Sequence, residues 1–154
     1  MAKWDFKGVD ELLAQYQRLS DNSRDCIGKA IYKGADIVAD AVRAEIQALP
    51  VANQHQGGIS NIQKKGLSEG FGIAPMQDDN GYWNVKLGFD GYNDLHTHKY
   101  PNGQPNSVIA RSINSGSSYR KKNPFVDRAT RAKKSECEKV MKDTVDLEIS
   151  KLTT

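Results

Sequence analysis

Two histidines separated by one residue are the most obvious candidates for chemistry in this chain. His96 and His98 have a spacing at which two imidazoles can reach one metal ion from an extended strand. A complete site would need a third ligand, and Asp90, Asp94 or His55 would serve only if the fold brought one close. The chain has no His-Glu-x-x-His or Cys-x-x-Cys spacing. We therefore interpret the two histidines as surface residues, and we predict no metal, no cofactor and no catalytic residue.

The cysteines and glycines do not indicate catalysis or nucleotide binding either. Reactive thiols need a positive, partly exposed setting with a base nearby, and no histidine lies close to Cys26 or Cys137 in the sequence. Two thiols inside predicted helices are typical of a reduced, cytosolic protein rather than a secreted one. Gly70 and Gly72 lie in an alternating strand pattern, so they do not form a phosphate-binding loop.

The distribution of charge is more informative than the net charge of +3. Residues 111–134 hold eight Lys and Arg residues against one acidic residue, Asp127. One interpretation is that these charges are simply solvated on a loop and on the outer face of the last helix. Alternatively, they contact an acidic partner surface or a phosphate backbone. The stretch 119–122 also places a tyrosine beside three cations. Our candidates for partner-binding residues are Arg120, Lys121, Lys122, Arg128 and Arg131.

Apolar periodicity predicts two helices in the first third of the chain. Residues 9–20 read as a short helix, and 20–23 form a polar break. A longer helix follows over 23–48 and ends at Pro50. Its expected inward residues are Ile27, Ile31, Gly34 or Ala35, Val38, Val42, Ile46 and Leu49.

The middle of the chain predicts a β-hairpin between loops. Residues 67–90 alternate apolar and polar side chains around the turn signal Asp78-Asp79-Asn80-Gly81. The flanking segments 51–66 and 91–106 are polar and lack a period, so we expect both to be mobile loops. A third loop of this kind is expected at 117–123, after a short helix over 107–115 that Gly116 closes.

The last helix has a clear start signal. Asn123 suits the N-cap, Pro124 suits the first helical position, and Asp127 lies near the positive end of the helix dipole. The expected inward residues are Phe125, Ala129, Ala132, Val140, Met141, Val145, Ile149 and Leu152.

These elements predict one α+β domain over residues 1–154, in which long N-terminal and C-terminal helices pack on a small antiparallel β-sheet. No apolar run approaches the roughly 20 residues that cross a bilayer, and the N-terminus lacks the apolar core of a signal peptide. No acid, base and nucleophile converge. We therefore expect an interaction module rather than an enzyme.

Several segments resemble the tail-component family of long-tailed phages, whose members are described as tail-completion or head–tail joining (neck) proteins. The best-matching pieces are 124–129 (Pro-Phe-Val-Asp-Arg-Ala) and 113–117 (Ile-Asn-Ser-Gly-Ser), which is similar to the family's Glu-x-Gly-Thr segment. Asn114 stands where an acid is common, and Ser117 where Thr is usual. The early Phe6-x-Gly-x-Asp-Glu-Leu-Leu and the helix end at Leu49-Pro50 extend the resemblance to nearly the whole chain.

The resemblance implies a non-enzymatic virion protein, made in the host cytoplasm, that forms a ring of six subunits between the portal-side connector and the tail tube. Its partners would be copies of itself, neighbouring neck proteins and the tail-terminator or tail-tube proteins, with DNA close by in the channel and no membrane. We expect Arg120, Lys121 and Lys122 to be exposed in a polar loop just before the last helix, so that replacing them by Ala leaves the fold intact and impairs head–tail joining. A tail-terminator ring and a small basic nucleic-acid-binding protein remain as alternatives, and an enzyme using His96 and His98 comes third.

Overall fold

The computed structural model describes residues 10–52, 58–80 and 82–153, so the Phe6 segment, His55 and Gly81 lie outside the described residues. It confirms the α+β class: two long helices at the ends of the chain enclose two short helices and four short strands. In chain order these are α1 (Asp10–Ala48), α2 (Asn61–Gly70), β1 (Phe71–Ile73), β2 (Gln77–Asp79), β3 (Tyr82–Asn84), β4 (Leu87–Phe89), α3 (Asn106–Ser115) and α4 (Phe125–Thr153).

The first helix is continuous, and the predicted polar break at 20–23 is wrong. Asn22 Nδ2 donates to the carbonyl of Arg18 at 2.8 Å, and Ser23 Oγ donates to that of Ser20 at 2.9 Å. These short polar side chains bond back to their own helix instead of capping a new one, which lets the helix pass through them. At 1.5 Å per residue, α1 is about 58 Å long.

The two long helices pack against each other in antiparallel order. Lys29, at the middle of α1, pairs with Glu148 near the end of α4, at 3.0 Å. Glu45 near the end of α1 pairs with Arg128 near the start of α4, at 2.7 Å. Between them Gly34 faces α4 so closely that a Cβ there would lie 2.7 Å from Met141 Cγ. The glycine therefore allows the close approach of the two helices.

The buried face of α1 is made of smaller residues than the sequence predicted. Ile27, Ile31 and Val38, which are predicted to face inward, are only half-buried. The predicted Ala35, Val42, Ile46 and Leu49 are buried as expected. Among the α1 side chains whose burial the structure describes, together with Leu49 just beyond the helix end, the buried hydrophobic residues are Cys26, Ala30, Ala35, Ala39, Val42, Ile46 and Leu49.

The inward face of α4 is also only partly as predicted. Phe125 and Ala129 are buried, whereas Ala132 and Ile149 are exposed. Thr144, which was not expected inside, is 5% exposed, and its hydroxyl donates to the carbonyl of Val140 at 2.7 Å. A buried hydroxyl that is bonded within its own helix avoids the desolvation cost of an unmade hydrogen bond.

Residues 61–66 form part of a helix, so the expectation of an irregular segment over all of 51–66 is wrong. Ser60 and Gln63 form a reciprocal capping box, the Ser-x-x-Gln spacing that predicts a helix start. Leu67, at the start of the predicted hairpin over 67–90, is therefore a buried helical residue. From α2, Lys64 Nζ donates to the carbonyls of Gln47 and Leu49 at 2.7 and 3.0 Å and so caps the end of α1.

The predicted hairpin exists, but its strands are interrupted. β1 pairs with β4 and β2 with β3, both antiparallel, and residues 74–76 and 85–86 between the two pairs are not in strands. Asn80 occupies the predicted turn at a φ of 57°. The inner pair packs against the core: the rings of Phe71 and Phe89 are 5.1 Å apart, and Phe89 lies 6.1 Å from Phe125.

Amide side chains organise the segment 91–106. Gln104 Oε1 accepts from Gln63 at 2.9 Å and from Asn93 at 3.1 Å, and Asn93 Oδ1 accepts from the backbone of Leu95 and Gln104.

The mobility expected of 51–66, 91–106 and 117–123 stays a prediction. Within the described part of the chain, no helix combines the length and apolar character needed to cross a membrane.

The ion pairs at the two ends of the α1–α4 contact predict acid sensitivity. Hydrogen bonds from Arg128 lower the pKa of Glu45, and hydrogen bonds from Lys29 and Lys151 lower that of Glu148. The unfolded chain therefore binds more protons, and stability is lost as pH falls below about 4.5 through the folded-state pKa values. Urea unfolding of Glu45→Gln and Glu148→Gln across this range should show a weaker dependence on pH than the wild type.

Glu138→Gln is the matched control for this experiment, because Glu138 is exposed and forms no ion pair with a described residue. Its unfolding should retain the wild-type pH dependence. High salt should reduce the contribution of the exposed pairs. Identical pH dependence in all four proteins would contradict a role for the two ion pairs.

Candidate partner-binding site: a basic pocket at the start of the last helix

The first turn of α4 is capped by a side chain from α3. Asn114 Oδ1 accepts from the backbone N–H of Val126 at 3.1 Å and of Asp127 at 3.3 Å. The predicted cap, Asn123, instead accepts from Arg128 through its side chain at 3.0 Å. The capping oxygen therefore comes from α3, which is separated from α4 by residues 116–124. Local sequence rules do not indicate such a contact.

A tight turn joins α3 to α4. Gly116 ends α3 at a φ of 79°, and a Cβ there would lie 3.1 Å from Lys122 Cβ, so glycine is needed both for the backbone conformation and for the space. Ser117 and Arg120 exchange backbone hydrogen bonds of 2.9 and 3.4 Å, and the N–H of Asn123 donates to the carbonyl of Ile113 at 2.8 Å. These bonds fix the backbone from which the three consecutive cations extend.

Arg120 is buried, which contradicts the expectation that all three cations are exposed. Its side chain is only 8% exposed, and its guanidinium donates to Ser112 Oγ at 2.6 Å and to the carbonyl of Gly58 at 3.2 Å. Burial lowers its pKa. The residue joins α3 to the segment at 58–59, so it is a structural residue behind the site rather than a contact on its surface.

The basic pocket, as we call it here, lies between this turn and the end of α1. Its volume is about 330 Å³. Leu49, Ile59 and Ile113, each at most 5% exposed, supply an apolar floor. Lys121 and Lys122 line the same pocket; both are exposed, and neither side chain bonds or pairs with another described residue. The pocket thus combines a preformed apolar surface with two available positive charges.

Arg128 and Arg131, the other two predicted contact residues, differ in whether they are already paired within the chain. Arg128 donates to Glu45 Oε2 from two nitrogens, at 3.0 and 2.7 Å, and these bonds raise its pKa. It is therefore engaged within the chain. Arg131 is exposed and makes no ion pair with the described residues. Of the five predicted contact residues, the structure thus leaves Lys121, Lys122 and Arg131 available for a partner.

Within the described ranges, His96, His98, Cys26 and Cys137 do not form a catalytic or metal-binding cluster. His96 Nδ1 lies 2.7 Å from the carbonyl of Pro101, and His98 is exposed. Among the described residues, no three His, Cys, Asp or Glu side chains are grouped to hold a metal ion. Cys26 is buried, and burial raises the pKa of the Cys137 thiol, which disfavours the reactive thiolate.

Comparison of the chain with protein-family models, curated proteins and solved structures finds no match.

We predict that the cap from α3 contributes measurably to stability. Asn114→Ala removes the acceptor of two first-turn N–H groups and should lower the free energy of unfolding by about 0.5–2 kcal/mol. Asn114→Asp retains an oxygen there, but its charge faces Asp127, so its stability should lie between the alanine variant and the wild type. Urea unfolding monitored by circular dichroism measures both. An alanine variant as stable as the wild type would contradict the capping role.

Alanine substitutions of the three consecutive cations should differ in their effect on the free energy of unfolding. Arg120→Ala leaves the Gly58 carbonyl and Ser112 without their donor and should cost roughly 1–3 kcal/mol in the free energy of unfolding. Lys121→Ala and Lys122→Ala remove exposed side chains and should change it by less than about 0.5 kcal/mol. The same unfolding midpoint for all three variants would contradict the distinction between the structural arginine and the two surface lysines.

Proposed function

We propose that this chain is a structural subunit of the head–tail junction of a long-tailed phage or prophage, acting as a tail-completion or neck protein that joins the tail to the head. The observation that carries the proposal is the contact between the two best-matching segments of the phage-family resemblance. Residues 113–117 end α3, residues 124–129 begin α4, and Asn114 in the first caps the second. The acid that is common at this position in the family would supply the same kind of acceptor.

Subunits of such a junction act through surface complementarity. We infer a homo-oligomer, expected to be a ring of six, whose neighbouring subunits meet by heterologous contacts that close on themselves. Its other partners would be the adjoining neck or connector proteins and the tail-terminator or tail-tube proteins. The protein would be made in the host cytoplasm and reside in the virion. Of the five predicted contact residues, Lys121, Lys122 and Arg131 are exposed and make no ion pair with a described residue, so they are our candidates for these contacts.

A small basic nucleic-acid-binding protein is the second proposal, and the same three exposed cations favour it. A protein that neutralises phosphates releases counterions, so its affinity for DNA falls steeply with salt. Steep salt dependence with retained binding near physiological salt would support this function. Negligible DNA binding under those conditions would remove it. A tail-terminator ring makes the same structural demands as a completion ring and remains an alternative within the first proposal.

Charge reversal at the basic pocket should impair head–tail joining. In a phage that lacks its own copy of this gene, a plasmid would supply the wild type or the double variant Lys121→Glu/Lys122→Glu. Reversal of two contact charges should lower the yield of infectious particles by at least about tenfold, since 1.4 kcal/mol of lost binding is a factor of ten. Unjoined heads and tails should accumulate in electron micrographs.

The matched control is Lys139→Glu/Lys142→Glu, which makes the same charge change at two exposed lysines on α4 that do not line the pocket. It should support the wild-type yield. Wild-type yield from the pocket variant as well, at equal expression, would refute the role of the pocket lysines in joining.

A further inference from the structure

We propose that the basic pocket captures an extended acidic peptide segment of a neighbouring protein. In this complex an apolar side chain of the segment lies on the pocket floor, and carboxylates on either side of it pair with Lys121 and Lys122. The inference rests on the proposed function, because it names the chemistry of the partner that docks at this site.

The floor of the pocket is apolar and so suits an apolar occupant. Leu49, Ile59 and Ile113 belong to the hydrophobic core, which fixes their positions. The volume of about 330 Å³ lies at the lower end of the range for pockets that enclose small ligands, roughly 300–1,000 Å³. A side chain carried by an extended segment fits such a space, whereas the flat surface of a folded domain would leave the apolar floor uncovered.

The rim of the pocket requires negative charge. Lys121 and Lys122 are consecutive, and their side chains have no partner among the described residues. Their backbone is held by the Ser117–Arg120 turn and by the hydrogen bond from Asn123 to Ile113. Binding therefore orders the two lysine side chains but does not have to order the backbone that carries them, which lowers the entropic cost of the contacts with carboxylates. Charge complementarity thus identifies an acidic segment.

The lining disfavours nucleic acid as the occupant. Proteins that bind single strands stack bases on aromatic side chains, but the described residues that line this pocket include no aromatic side chain. Tyr119 lies beside the lysines in sequence, yet it is exposed and is not part of the lining. A phosphate backbone has no apolar group to place on Leu49, Ile59 and Ile113. The apolar floor therefore favours a peptide over DNA.

The test measures binding of a fluorescently labelled peptide, Gly-Asp-Glu-Leu-Asp-Glu-Gly, to the full-length protein. Binding is monitored by fluorescence anisotropy at near-physiological salt. Two matched peptides replace the central Leu by Ser or the four acids by Lys. We expect the first peptide to bind, the Ser peptide to bind at least about tenfold more weakly, and the Lys peptide not to bind. Lys121→Glu/Lys122→Glu should abolish binding, and Lys139→Glu/Lys142→Glu should leave it unchanged.

A second measurement locates the bound peptide without altering the core. Methyl resonances of Leu49, Ile59 and Ile113 should shift when the acidic Leu peptide saturates the protein, and those of Ile149 near the far end of α4 should not. Absence of binding, equal binding of the Ser peptide, or unshifted pocket methyls would each overturn the proposal. An oligonucleotide that binds through the two lysines, while the peptide does not bind, would assign the site to nucleic acid.

The outcomes separate this inference from the proposed function. Peptide binding at the pocket together with a wild-type phage yield from Lys121→Glu/Lys122→Glu would retain the peptide site and reject its role in head–tail joining. A reduced phage yield without peptide binding would retain the role in joining and reject the acidic peptide as the occupant.

Discussion

The N-terminus of α4 is held by a side chain from another helix, and the position of the basic pocket depends on this contact. Asn114 accepts hydrogen bonds from two backbone N–H groups of α4, while Phe125, in the same turn, is fully buried against the core. The cap and the core residue together fix where the chain leaves α3 and where α4 begins. The two pocket lysines lie on the short connection between these points, so their placement follows from the packing of the helices.

The pairing of α1 with α4 also holds the start of α4 against the end of α1. Arg128 and Glu45 join the start of α4 to the end of α1, and Lys64 of α2 caps the same end of α1. Leu49, just beyond that end, forms part of the pocket floor. Cations in this region therefore have two roles. Arg128 and Arg120 stabilise the framework, whereas Lys121 and Lys122 remain available to a partner.

The sequence predicted the elements better than their detailed packing. The long terminal helices, the central hairpin and α3 follow from periodicity and turn residues. The predicted break at 20–23 is wrong because polar side chains there bond within the helix. The capping-box spacing of Ser60 and Gln63 is the sequence signal for the start of α2, which the predicted loop over 51–66 did not include. In the site, a run of cations could be read from the sequence. The burial of Arg120 could not, because its partners Ser112 and Gly58 are brought close only by the tertiary fold.

The most direct test of the account is the mass of the purified protein, measured by light scattering alone and with purified phage tails that lack this subunit. An assembly subunit of the head–tail junction should bind those tails and cap their ends as a ring. A protein that ignores the tails but forms a complex with added DNA at physiological salt would contradict the account and favour nucleic-acid binding.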